Sequence, residues 1–148
     1  MINNRKGLSE VVTTLIIILL VLVAIGIVWV VVNNILESGT EQAEISAKCL
    51  LVDLKTTVAS CTAGGVCNVT YKRNAGGADI GGVVIVLSNG QASNQTQVAG
   101  NVAPLDTRTL TNFATGLSPT PNKAEIAAYF VGASGDQQIC STKSTLEF

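Results

Sequence analysis

The feature that most constrains this chain lies near its start, in the stretch RKGLSEVVTTLIIILLVLVAIGIVW. After Glu10, the twenty-two residues from Val11 to Val32 carry no charge. At about 1.5 Å rise per residue, a helix of that length spans roughly 33 Å, the thickness of a bilayer's hydrocarbon core. A secretory signal peptide would have a shorter apolar core followed by a small-residue cleavage site. Ala24-Ile25-Gly26 is the only candidate for such a site, and IVWVVV continues beyond it, so the segment is expected to stay in the chain. Arg5 and Lys6 precede the run and no basic residue follows it until Lys48, which places the amino terminus in the cytoplasm and everything from about Asn33 outside.

Composition narrows what the exported part can do. The chain has 148 residues, enough for one anchor and one head of about a hundred residues. Net charge is -1 with 13% charged residues, which offers no basic face for nucleic acid and no polybasic membrane patch. Histidine is absent, which removes the commonest general base and the usual catalytic triads and zinc sites. Asp79, Asp106 and Asp136 are separated by loops and do not follow the spacing of a calcium-binding loop, so they read as solvated carboxylates. No convergent acid pair is seen. The expectation is a protein that is not an enzyme, with no catalytic residue, no metal site, no cofactor and no nucleic-acid partner.

The helix is expected to continue past the apolar run. Val32, Leu36, Gly39, Ala43 and Ala47 recur on one helical stripe, off which Glu37, Glu41 and Glu44 lie, and this stripe is expected to rest on the head. Trp29 suits an interfacial anchor or a packed core, and Thr13 and Thr14 suit back-bonding to the helix. From Cys49 the period becomes two, with Leu50, Val52, Leu54, Thr56 and Val58 on one face of a first strand. Gly64-Gly65 turns the chain into VCNVTYKR. After the NAGGADIGG loop, VVIVL reads as a strand buried on both sides, and Asn89-Gly90 suits the centre of a tight hairpin turn. Further strands are expected near Thr107–Phe113, Glu125–Val131 and Gln138–Ser141. The fold class is α+β: a long N-terminal hydrophobic α-helix followed by an antiparallel β-sandwich-like head, a small barrel being the alternative.

The four cysteines, Cys49, Cys61, Cys67 and Cys140, all fall in the exported part and read as two disulfides, four buried free thiols being the alternative. If residues 50–59 form one strand, Cys49 and Cys61 stand some 35 Å apart at about 3.3 Å per residue, beyond disulfide reach. Cys61 and Cys67 then flank a hairpin loop, which leaves Cys49 for Cys140. A break or bulge near Val58 would undo that assignment. Asn68-Val69-Thr70 and Asn94-Gln95-Thr96 are candidate N-glycosylation sites at Asn68 and Asn94, although such tripeptides also arise by chance.

The stretch RKG followed by LSEVVTTLIIILL resembles the type III signal sequence of type IV pilins, and the family it resembles is that of the archaeal type IV pilins and their archaellin relatives. KCLLVDL, CNVTYKRNAGG, DIGGVVIVLSNG and PLDTRTL are similar to head-domain stretches of archaeal members. Bacterial pilins usually begin the mature chain with Phe and carry Glu fifth, whereas here Leu8 would be first and Glu10 third. The resemblance implies a leader, residues 1–7, cut off by a prepilin peptidase between Gly7 and Leu8, a membrane-spanning and filament-core helix over residues 8–47, and an extracellular head over residues 48–148.

The function so implied is that of a structural subunit of an extracellular type IV pilus-like filament. It would polymerise with copies of itself, with the prepilin peptidase and the pilus assembly machinery as partners and the cytoplasmic membrane as its place before assembly. A membrane-anchored exported binding domain that does not polymerise is the alternative. Glu10 would then set subunit register by pairing with a neighbour's new α-amino group, since an unpaired carboxylate in a bundled core costs several kcal/mol. The simpler reading leaves Glu10 among headgroups at the helix N-terminus, worth about 0.3–1 kcal/mol.

Overall fold

The computed structural model describes residues 5–148, without the side chains of residues 5–9 and of Ser38. Residues 1–4 of the expected leader, and the side chain of Leu8 at the expected Gly7–Leu8 cleavage point, lie outside the described residues. The chain divides into two compact units, Met1–Gln42 and Ala43–Phe148.

One α-helix, α1 (Arg5–Leu51), runs without interruption through the apolar segment. Long β-branched and leucine side chains suit a helix whose surroundings are apolar on every side. The helix is long and apolar enough to cross a membrane. Its end lies four residues beyond the expected Ala47, and the first strand, β1 (Leu54–Cys61), begins at Leu54 instead of Leu50. The alternation of Leu50, Val52 and Leu54 imitates a strand, but Ile45 and Cys49 are both buried one helical turn apart, and Cys49 is covalently held. Within the second unit that pair also corrects the expected stripe: Ala43 and Ala47 are exposed. Ala offers little area to bury, so the face carrying Ile45 and Cys49 wins. Gly77, with φ +76°, receives the end of the helix. A Cβ there would stand 2.8 Å from both the Leu51 carbonyl and the Val52 side chain.

After β1 come β2 (Val66–Arg73), β3 (Gly82–Ser88), β4 (Ser93–Ala99), β5 (Thr107–Ala114), β6 (Lys123–Val131) and β7 (Gln137–Glu147). They form two antiparallel sheets, one in the order β1-β2-β5 and one in the order β4-β3-β6-β7. Cys67, Val69 and Tyr71 of β2 share one core with Val83, Ile85 and Leu87 of β3 and Ala124, Ile126 and Phe130 of β6. Val84 on the other face of β3 is buried as well, so this strand is enclosed over both faces. The β1–β2 register shifts between Thr56 and Val58, a bulge at the place where the cysteine assignment was most exposed to error.

The hairpin after β3 departs from the expected turn. Ser88 pairs with Ser93, so Gly90 and Gln91 are its central residues, and of the Asn89-Gly90 pair only Gly90 has a positive φ, at 82°. Asn89 instead uses its side-chain oxygen, which accepts from the Gln91 and Ala92 amides at 3.0 and 2.8 Å. The Ser118–Pro119 peptide is cis, and its Pro119 carbonyl accepts from the Asn89 side chain at 2.8 Å.

Candidate functional site

The apolar segment of α1 presents a long, continuous apolar surface. Every residue from Val11 to Val32 is exposed, with the leucines and isoleucines half or more uncovered and Trp29 at 67%. Soluble monomers rarely expose contiguous apolar patches of more than a few hundred square ångströms, so a surface of this kind marks contact with lipid or with other protein. Glu10 sits at the start of the run and is exposed. Its backbone carbonyl accepts from the Thr14 hydroxyl at 2.7 Å, which satisfies the hydroxyl inside the helix's own surface. Thr40 does the same toward the Leu36 and Glu37 carbonyls, each at 3.0 Å.

In the second unit, the cysteines close the fold at two points. Cys49 on the last turns of α1 bonds Cys140 on β7, with Cα atoms 5.4 Å apart and a sequence separation of 91. Cys61 bonds Cys67, and the two are directly opposed in the β1–β2 register. The bulge at Thr57 leaves that register intact at the hairpin's closed end. Cys49 therefore ties a helix to the second sheet, where sequence spacing placed it at the base of a strand. Thr142 adds a 3.4 Å hydrogen bond from its hydroxyl to the Cys49 carbonyl. Beside the bridge, Ser46, Ala47, Leu50, Gln138 and Ile139 line an open groove.

A second focus of polar structure was not foreseen. Arg73, at the end of β2, is wholly buried. One guanidinium nitrogen donates to the Val102 carbonyl at 2.8 Å and the Asn101 side-chain oxygen at 3.3 Å; the other donates to the Gly76 and Ala78 carbonyls at 3.0 and 2.6 Å. Its Nε has no partner among the described residues. The charge is thus met by three backbone dipoles and an amide, and Asp79 reaches it only through Asn101, whose nitrogen donates to the carboxylate at 2.7 Å. The fork holds the 74–81 loop against the 101–102 loop. An arginine beside a polar loop reads in sequence as a solvated cation, and nothing in its spacing separates it from Lys72.

The remaining expected sites are dispersed. Asn68 is exposed on β2, and Asn94 is half-buried on β4. Asp79 binds Asn101, Asp106 binds Arg108 at 3.3 Å and Asp136 binds Ser134 at 3.1 Å, in three separate loops. On the outer face of β6, Glu125 meets Lys123 at 2.8 Å and Lys143 at 2.9 Å. Those two lysines hold its carboxyl below the usual glutamate range, first through the Lys123 hydrogen bond. Tyr71 is buried, and burial pushes its phenol up. Among the described residues, no three His, Cys, Asp or Glu side chains gather as a metal-binding group. No protein-family model matches this chain, and no curated protein matches it in sequence.

Proposed function

We propose that this chain is the structural subunit of an extracellular type IV pilus-like filament, held in the membrane by α1 before assembly and bundled through the same helix afterwards. The observation that carries the reading is the exposure of the whole apolar run from Val11 to Val32, preceded by one carboxylate at Glu10 and joined to a head closed by two disulfides. Lipid tails and packed aliphatic side chains are similar solvents, so transfer of such a helix from bilayer to filament core has little hydrophobic cost and packing decides. Subunits related by a rotation and a rise make a contact that does not close, which yields a helical fibre. On this reading the head is an antiparallel β-sandwich, its two sheets facing each other across the shared core, and the chain has no catalytic role of its own. The prepilin peptidase and the assembly machinery are its partners, with cleavage between Gly7 and Leu8.

Glu10 then selects register by pairing with a neighbouring subunit's α-amino group. The test is electron microscopy of filaments sheared from source cells, with amino-terminal sequencing of the subunit and a Glu10→Ala comparison. The expected results are filaments whose subunit begins at Leu8, and a sharp fall in filament number for Glu10→Ala while cleaved, folded subunit accumulates in the membrane. Filaments carrying intact Met1, or normal filament number from Glu10→Ala, would overturn the processing and register roles respectively. A surface-abundant chain that forms no filaments would establish the anchored-domain alternative.

A further inference from the structure

The two sheets leave four edge strands, and three of them are protected against pairing with another chain. β1 carries a bulge and Lys55, and it lies against β7, whose Ser144 hydroxyl accepts from the Thr56 amide at 3.2 Å. β7 has its own register shift and Lys143. β5 is interrupted by Asn112 in a left-handed conformation, with φ 58°, and carries Arg108. Bulges and inserted charges are the usual means by which sheet edges are kept from self-association.

β4 has none of these. Its seven residues, SNQTQVA, pair with β3 in one unbroken register. The stretch from Ile80 to Leu105 contains no charged residue at all. At the hairpin the Asn89 amide donates to the Ala92 carbonyl at 3.1 Å, which makes Asn89–Ala92 a hydrogen-bonded pair and Ser88–Ser93 the next, non-bonded one. By that alternation the N–H and C=O groups of Ser93, Gln95, Gln97 and Ala99 point away from β3. All four residues are exposed.

We infer that this edge pairs, antiparallel and about a two-fold axis at Thr96, with the same edge of a second copy. An isologous contact requires residue i to meet j while j meets i. Centred on Thr96, the outward backbone groups fall into register: Gln95 opposes Gln97 twice, Ser93 opposes Ala99 twice, and Thr96 faces itself as the non-bonded pair. No charge lies anywhere along the contact, whereas β1, β5 and β7 carry Lys55, Arg108 and Lys143. The self-complementary pattern is what favours a second copy over an unrelated strand. The result is one continuous eight-stranded sheet shared by two heads. Because a two-fold contact closes, it is separate from the fibre-forming contact of α1 and would join heads of subunits in different filaments.

The test uses the full chain in detergent micelles, where all four native cysteines are already in disulfides and a new thiol has no internal competitor. Under mild oxidation, Thr96→Cys should give a covalent dimer on a non-reducing gel. Thr109→Cys, on the exposed face of β5, should not, although association through α1 would crowd both variants equally. Adding Gln95→Lys and Gln97→Lys sets lysine opposite lysine at both positions and should lower the Thr96→Cys dimer at least roughly tenfold. Peptide mapping of the Cys49–Cys140 and Cys61–Cys67 bridges checks that each variant is folded. Absence of the dimer would overturn the inference, and it is also the result expected if the true occupant is a strand of another protein. Equal yield from Thr109→Cys, or indifference to the lysines, would overturn it too. None of these readouts depends on filaments being formed.

Discussion

The Asn94 side-chain nitrogen donates to the Thr115 carbonyl at 2.7 Å, whereas Asn68 engages only its oxygen, which accepts from the Asn112 amide at 2.9 Å. The two candidate glycosylation sites therefore differ at the atom that would carry the sugar. Attachment at Asn94 would crowd a half-buried junction between β4 and the segment after β5, while Asn68 is exposed. In a host that glycosylates the chain, glycopeptide mass spectrometry should find occupancy at Asn68 well above that at Asn94. Equal occupancy would show that the Asn94–Thr115 bond is formed too late or held too weakly to matter.

The Cys49–Cys140 bridge closes most of the second unit, and the chain-entropy relation assigns a loop of this length about 4–5 kcal/mol, against about 2 kcal/mol for the short Cys61–Cys67 loop. Cys49→Ala with Cys140→Ala should lower the denaturant midpoint of the head more than Cys61→Ala with Cys67→Ala. Urea titration followed by the near-ultraviolet signal of the buried Tyr71 and Tyr129 measures both. A larger loss from the short bridge would mean that the β1–β2 hairpin, rather than the helix tie, limits stability.

How far these elements could be read in advance depended on whether their burial left a period in the sequence. β2, β3 and β6 were legible because Val69, Tyr71, Val83, Ile85 and Ile126 sit in strict alternation or in unbroken apolar runs between turn residues. β4 left no such trace. Ser, Asn, Gln and Thr alternate with each other, and it is the backbone pairing to β3 that makes it a strand. The end of α1 was misplaced because Leu50, Val52 and Leu54 satisfy a period of two, while Ile45 and Cys49 satisfy a period of 3.6 over the same boundary. The bond to Cys140 decides between them. Arg73 was invisible for a different reason: its partners are main-chain carbonyls, which any sequence supplies.

Glu125 gives the head an acid-sensitive contact. Lys123 and Lys143 depress its pKa, so in the folded protein the carboxylate stays charged at a pH where the unfolded chain has begun to take up a proton. The stabilisation is present above the ordinary glutamate value of about 4.3 and is lost as pH falls through the lower folded value. Melting temperatures of wild type and Glu125→Gln should differ at neutral pH and converge in strong acid. A melting temperature of Glu125→Gln above that of wild type at neutral pH would mean that the pair opposes folding.

Arg73 offers the sharpest test of how the loops of the head are held. Burying a guanidinium without a carboxylate costs solvation, and here four acceptors around its two terminal nitrogens offset it. Lysine at this position keeps the charge but places its donors on one atom. It cannot serve carbonyls on both the 74–81 loop and the 101–102 loop. Methionine removes the charge and most of the desolvation cost, yet leaves the Val102, Gly76 and Ala78 carbonyls without their donor, at about 1–3 kcal/mol for each one that stays buried. Both variants should be destabilised, by an amount on the order of 3–5 kcal/mol if the remaining partners cannot reach water. The ranking carries the information. If the charge itself were the difficulty, Arg73→Met would be the more stable of the two and could approach wild type. If the fork is what matters, both fall together and the 74–81 loop becomes the first site of proteolysis, since Gly76, Gly77 and Ala78 then lose their anchor. We expect the second outcome, read from urea midpoints and from the first cleavage sites under limited proteolysis. Wild-type stability for Arg73→Met, with the loop still protected, would show that the carbonyls find water and that the arginine is dispensable.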